Sequence, residues 1–134
     1  MKKIAIAVLA VVMLAISAVV RDRMPIDLMQ LQPDDVLEIV VFDGSTGKAT
    51  HIQQQAQIET IINSLNEVKL QRSKPSVGYT GFRFKITIYL NDGNEAGDWN
   101  NFIINSSTTI RKDPFFYKVI EGDAAYDYIE SIIS

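Results

Sequence analysis

The sequence predicts an α+β protein: an N-terminal transmembrane or signal helix, then one antiparallel β-sheet covered on one face by two helices. Three observations predict it. Residues 4–20 are apolar except for Ser17; Phe82, Phe84, Ile86, Ile88 and Leu90 alternate with polar residues; and residues 55–67 and 123–133 carry apolar side chains at helical spacing. A period of two marks a strand with one face buried, and a period near 3.6 marks an amphipathic helix.

Lys2 and Lys3 precede the apolar run, and Arg21-Asp22-Arg23 closes it. A basic start followed by a hydrophobic stretch addresses a chain to a membrane. As a helix the run from Ile4 to Val20 spans roughly 25 Å, slightly short of a bilayer core of about 30 Å. Its length favours an uncleaved anchor. The small residues Ala15, Ser17 and Ala18 near its end favour cleavage by a signal peptidase. A buried helix of a soluble fold is the third option. With Lys2 and Lys3 on one side, and Arg21 and Arg23 partly offset by Asp22 on the other, the expected orientation puts the N-terminus inside and the remainder outside. The expected organisation is therefore residues 1–20 as anchor or signal, 21–35 as a linker with Pro25 and Pro33, and 36–134 as one extracytoplasmic domain.

Within that domain, residues 36–42 (VLEIVVF) are a β-branched apolar run bounded by acids and by Asp43-Gly44, which reads as a strand. Gly44 to Gly47 is a turn, and residues 48–53 return as a partner strand. Ile58, Ile61, Ile62 and Leu65 give the helix of residues 55–67 its single apolar stripe. Residues 68–71 alternate as a strand. The long strand of residues 80–90 is the clearest, with Arg83, Lys85, Thr87 and Tyr89 on its wet face. Residues 91–94 (NDGN) form a hairpin turn. Residues 98–105 pair back through Trp99, Phe102, Ile103 and Ile104, and residues 108–111 and 115–120 add two short strands. The closing helix carries Ala125, Tyr128, Ile129, Ile132 and Ile133 on one stripe, with Asp123 at its start, where the helix dipole favours an acid.

Composition narrows the function. Without residues 1–20 the chain holds eleven Lys and Arg against sixteen Asp and Glu, a net charge near −5. Such a domain repels nucleic acid and anionic lipid alike. There is no cysteine, so neither a disulfide nor a lipid-modified cysteine is available. The opening Lys-Lys-Ile-Ala reads as bacterial.

Motifs for chemistry are sparse. His51, the single histidine, has neither cysteines nor carboxylates at ligand spacing and no G-x-S-x-G turn to present a nucleophile; it is expected on an exposed loop or strand edge. Residues 44–49 (GSTGKA) have two residues between the glycines and Ala49 after the lysine, so they fail the phosphate-binding pattern. Residues 92–98 (DGNEAGD) match an EF-hand loop only at Asp92, Asn94 and Gly97, and Ile103 stands where the bidentate glutamate belongs. No metal, cofactor or catalytic residue is therefore assigned. Asp34, Asp35, Glu38, Asp92, Glu95 and Asp98 are the acids from which a hydrolase would have to draw a catalytic pair. Arg83, Lys85 and Tyr89 form the candidate binding patch, a basic and aromatic row suited to a protein or small anionic partner.

The helix of residues 58–66 (IETIINSLN), Gly78-Tyr79, the strand of residues 84–89 (FKITIY) with Asp92-Gly93, the strand of residues 116–119 (FYKV) and the terminal helix together resemble a group of uncharacterised small extracytoplasmic domains of Gram-positive bacteria. Some of these sit behind a single N-terminal span, and related stretches occur in membrane sensor proteins. The resemblance covers roughly residues 36–133. It implies a cellular place and an α+β fold; the group has no agreed activity, so no site residue is carried over. The expected function is a membrane-tethered, non-catalytic extracytoplasmic binding or interaction module, held to the membrane by residues 4–20. A secreted cell-wall hydrolase or hydrolase inhibitor is the alternative.

Overall fold

A computed structural model describes residues 2–97 and 99–133, and for residues 17–23 the backbone alone. Among the described residues the chain is an α+β fold, with one eight-stranded antiparallel sheet and three α-helices. In chain order these are α1 (Lys2–Arg23), β1 (Ile26–Asp27), β2 (Val36–Asp43), β3 (Lys48–Ile52), α2 (Gln55–Asn66), β4 (Lys69–Pro75), β5 (Phe84–Leu90), β6 (Asn101–Ser106), β7 (Thr109–Lys112), β8 (Phe115–Glu121) and α3 (Tyr126–Ile133). The spatial order is β1-β4-β8-β7-β6-β5-β2-β3. Strands β5 to β8 form a central meander. The β2–β3 hairpin extends one edge of it, and β4 with β1 extends the other.

The alternation read from the sequence sets the core face. Phe84, Ile86 and Ile88 of β5 are fully buried beside Ile39 and Val41 of β2, Phe102 and Ile104 of β6 and Ile110 of β7. Ile58, Ile61, Ile62 and Leu65 of α2 and Ile129 of α3 join the same apolar cluster. The last helix starts at Tyr126, three residues later than the sequence predicts, and Asp123 stands in the turn before it. The Asp123 carboxylate accepts the Ala125 N–H and the Ser64 hydroxyl, both at 3.0 Å, which ties this turn to α2.

Three differences from the sequence reading matter. The segment expected as a linker is folded into the domain: β1 pairs with β4, and Leu28 and Met29 are buried. Asn66 at the end of α2 clamps this segment, donating to the Leu31 carbonyl at 2.7 Å while its own amide oxygen accepts the Leu31 N–H at 2.9 Å. Elements of two and three residues carry no periodicity, which is why they escape a pattern search.

Secondly, the long strand begins at Phe84, not at residue 80. Residues 76–83 instead lie over the second face of the sheet. Tyr79 meets the Phe116 ring edge-on with centroids 5.0 Å apart, and Phe82 packs on Phe42 at 5.9 Å. The face expected to be wet is therefore partly covered, and Ile103, Arg111 and Phe116 are buried on it.

Thirdly, α1 forms over the whole apolar run, 22 residues in all. Its side chains from Ile4 to Ile16 stand exposed, the large apolar ones by 46 to 71%. Among the described residues no helix is long and apolar enough to cross a membrane. The side chains of Ser17 to Val20, which complete the expected span and hold the expected cleavage positions, lie outside the described ones.

Candidate functional site

Strand β5 carries Lys85 and Tyr89 of the candidate patch, Arg83 immediately precedes it, and the structure separates the three. Arg83 stands just before β5, where the β2–β5 register sets Asp43 opposite Phe84. Its guanidinium donates to Asp43 Oδ1 at 2.5 Å and to the Ser45 hydroxyl at 3.1 Å, lies 3.5 Å from the Glu130 carboxylate of α3, and sits 4.3 Å above the Phe84 ring. Arg83 is thus a structural clasp between the β2–β3 turn and α3. Tyr89, at the far end of β5, lies opposite Glu38 on one side and bridges to Glu95 on the other. Six residue steps along the chain separate Arg83 from Tyr89, about 20 Å.

The clasp titrates. The Ser45 backbone N–H first of all, then the Arg83 guanidinium and the Thr46 N–H, hold the Asp43 carboxyl below its usual range against the opposing effect of burial. Burial works against the charge on Arg83, but the Asp43 carboxylate and the Tyr126 side chain outweigh it and raise the guanidinium's value. A carboxyl depressed in the folded state binds fewer protons there than in the unfolded chain, so stability rises with pH across the interval between its two values. Asp43's contribution is fully present above an unfolded value of about 4 and is lost as pH falls through the lower folded value. Thermal unfolding followed by circular dichroism between pH 7 and pH 2.5 should therefore show a flat upper range and an acid limb. Asp43→Asn should lower the melting temperature at pH 7 and flatten that limb.

Lys85 occupies a different setting. Across the second face, the strand registers align Phe42, Lys85, Ile103, Arg111 and Phe116 in one row over β2, β5, β6, β7 and β8. Between this row and the overlying loop lies a groove of about 330 Å³, lined by Thr80, Phe82, Lys85, Asn101, Arg111 and Asp113 among others. Arg111 is only 8% exposed. Its Nη1 donates to the carbonyls of Tyr79 and Gly81 at 3.3 and 3.2 Å, which fastens the loop down. Its Nε has no hydrogen-bond partner; Asp113 Oδ1 lies 3.4 Å away and accepts the Ser76 hydroxyl at 2.6 Å. Lys112, also on the groove, donates to the Asn101 carbonyl at 2.6 Å. The sequence reading missed Arg111 and Lys112.

The other residues weighed in the sequence fall outside this groove. His51 is on the edge strand β3, and its Nδ1 meets the Glu38 carboxylate diagonally across the β2–β3 pair. The turn after β5 is closed locally, the Asp92 carboxylate accepting the Asn94 N–H at 2.9 Å and Glu95 holding the Asn100 amide. Asp34 and Asp35 lie in a 3-10 turn before β2 and lend their backbone carbonyls to Asn91. Asp98 lies outside the described residues. Among the described residues no three His, Asp or Glu side chains come together as a metal site would require.

Fold and groove together define an α+β domain whose antiparallel sheet carries a cation-lined groove on the face away from its core. Compared with known proteins, the chain matches no family model, no curated protein and no solved structure.

Proposed function

We propose that this protein is a membrane-tethered, non-catalytic binding module, with α1 in the membrane and the sheet domain outside the cytoplasm. The observation that carries this is the exposure of α1. A helix apolar on every side is normally buried in protein or in lipid, and nine large apolar residues of α1, Ile4 to Ile16, stand exposed on it. Exposed apolar surface on that scale marks contact with a membrane or a partner. The lysines at its start and the acidic balance of the rest fit the orientation stated. In this picture α2 and α3 form the cover of one sheet face, which their share in the common apolar cluster supports. The part of the second face that residues 76–83 leave open is the side for a ligand.

Mass spectrometry of the protein's N-terminus in separated membrane and soluble fractions tests the tether. An intact N-terminal peptide in the membrane fraction, with the sheet domain open to protease added outside spheroplasts, is the expected result. A chain starting near residue 18 in the medium would favour the secreted hydrolase or inhibitor. The full-length chain in the cytosol would overturn both.

A further inference from the structure

The groove on the second face holds more positive charge than its surroundings explain. Lys85, Arg111 and Lys112 line it against one carboxylate, Asp113, in a domain that is acidic as a whole. Lys85 is exposed, and no hydrogen bond or ion pair engages it among the described residues. Lys112 uses one of its three ammonium protons on the Asn101 carbonyl. Arg111 is the informative member. A buried donor without a hydrogen bond costs about 1–3 kcal/mol and is avoided in most native structures, yet the Arg111 Nε makes none, its nearest acceptor being Asp113 Oδ1 in an ion pair at 3.4 Å.

We propose that this groove is an oxyanion site, taking a small organic anion that carries a carboxylate or a phosphate group. Arginine's planar fork suits both groups, and a ligand oxygen that displaces Asp113 would give Nε the charge-assisted bond it lacks. The Lys85 ammonium would supply the second point of attachment. Phe82 and Thr80 also line the groove, so a short apolar body and one polar substituent can be accommodated. The volume of about 330 Å³ stands at the small end of the range for small-molecule sites, roughly 300–1,000 Å³. The proposal rests on the binding-module reading only in taking the second sheet face as the binding side; it does not need the tether.

The test is a titration of the full-length, ¹⁵N-labelled chain in a mild non-ionic detergent. Inorganic phosphate and butyrate are the two probes, at constant ionic strength so that screening does not change. Saturable shifts of amides in residues 101–112 are expected for at least one probe. Tighter phosphate binding assigns a phosphate ester, and tighter butyrate binding a carboxylate with an apolar body. Lys85→Gln should weaken the better probe about tenfold, as loss of a charge-assisted bond would. Arg111→Lys, which keeps the charge and removes Nε, should weaken it similarly. If Arg111→Lys fails to fold, Lys85→Gln decides alone. Absence of saturation up to about 10 mM, or wild-type affinity in either folded variant, overturns the site. Membrane fractionation of the same chain is read separately, so a failed tether and a failed site are told apart.

Discussion

Phe84→Ala is expected to remove about 3–5 kcal/mol of folding stability, the usual cost of truncating a fully buried phenylalanine. Phe84 opens β5, the strand between β2 and β6, and its ring is wholly inaccessible. It lies 5.5 Å from the Tyr126 ring of α3, and the Arg83 guanidinium stands 4.3 Å from its ring centroid. Removing it opens a cavity where the meander, the β2–β3 hairpin and the last helix meet, so no single element can relax to fill the space. Domains of this size are stable by about 5–15 kcal/mol, so roughly a fifth or more of the total is at stake. Urea denaturation should show the midpoint falling with an unchanged slope. A loss below about 1.5 kcal/mol would mean that α3 closes onto the gap, and that it is less firmly seated than the contact of Tyr126 with Phe84 implies.

What was legible in the sequence follows the range of the interactions. Helix α2 and strand β5 were plain because Ile58, Ile61, Ile62 and Leu65, and Phe84, Ile86 and Ile88, repeat their burial within a single element. The start of the last helix was less plain: Asp123 bonds Ala125 two residues away in a turn, and the helix begins only at Tyr126. The candidate site was not legible to the same degree. Arg83 and Lys85 look alike in sequence, and only Asp43, forty residues earlier, makes the first a clasp and leaves the second unengaged. Arg111 reads only as the end of a short strand. Its burial depends on the carbonyls of Tyr79 and Gly81, about thirty residues upstream, and no local pattern encodes that approach. Residues 26–31 were missed for the same reason, since their order comes from pairing with Lys69 and Leu70 and from the Asn66 side chain.

Gly44→Ala is the other substitution expected to do substantial damage, about 1–3 kcal/mol, as forced overpacking does. Gly44 donates its N–H to the Arg83 carbonyl at 2.8 Å, so the turn after β2 lies hard against the chain entering β5. A Cβ placed there would stand 2.1 Å from the Phe82 carbonyl oxygen and 3.0 Å from its ring. A carbonyl oxygen cannot swing aside as a side-chain tip can, so the turn and the loop have to separate. That separation pulls on two functional parts at once: the Asp43–Arg83 clasp beside the glycine, and Phe82, which packs on Phe42 and lines the groove. Gly44→Ala should therefore weaken anion binding as well as the fold. Gly81→Ala is the matched control, because a Cβ there meets nothing within 4 Å. It should change stability by no more than about 0.5 kcal/mol. Comparable losses at the two glycines would show that chain stiffness, and not the close approach at Gly44, sets the cost; a loss confined to Gly44 would tie the groove's shape to this one contact between β2 and the loop.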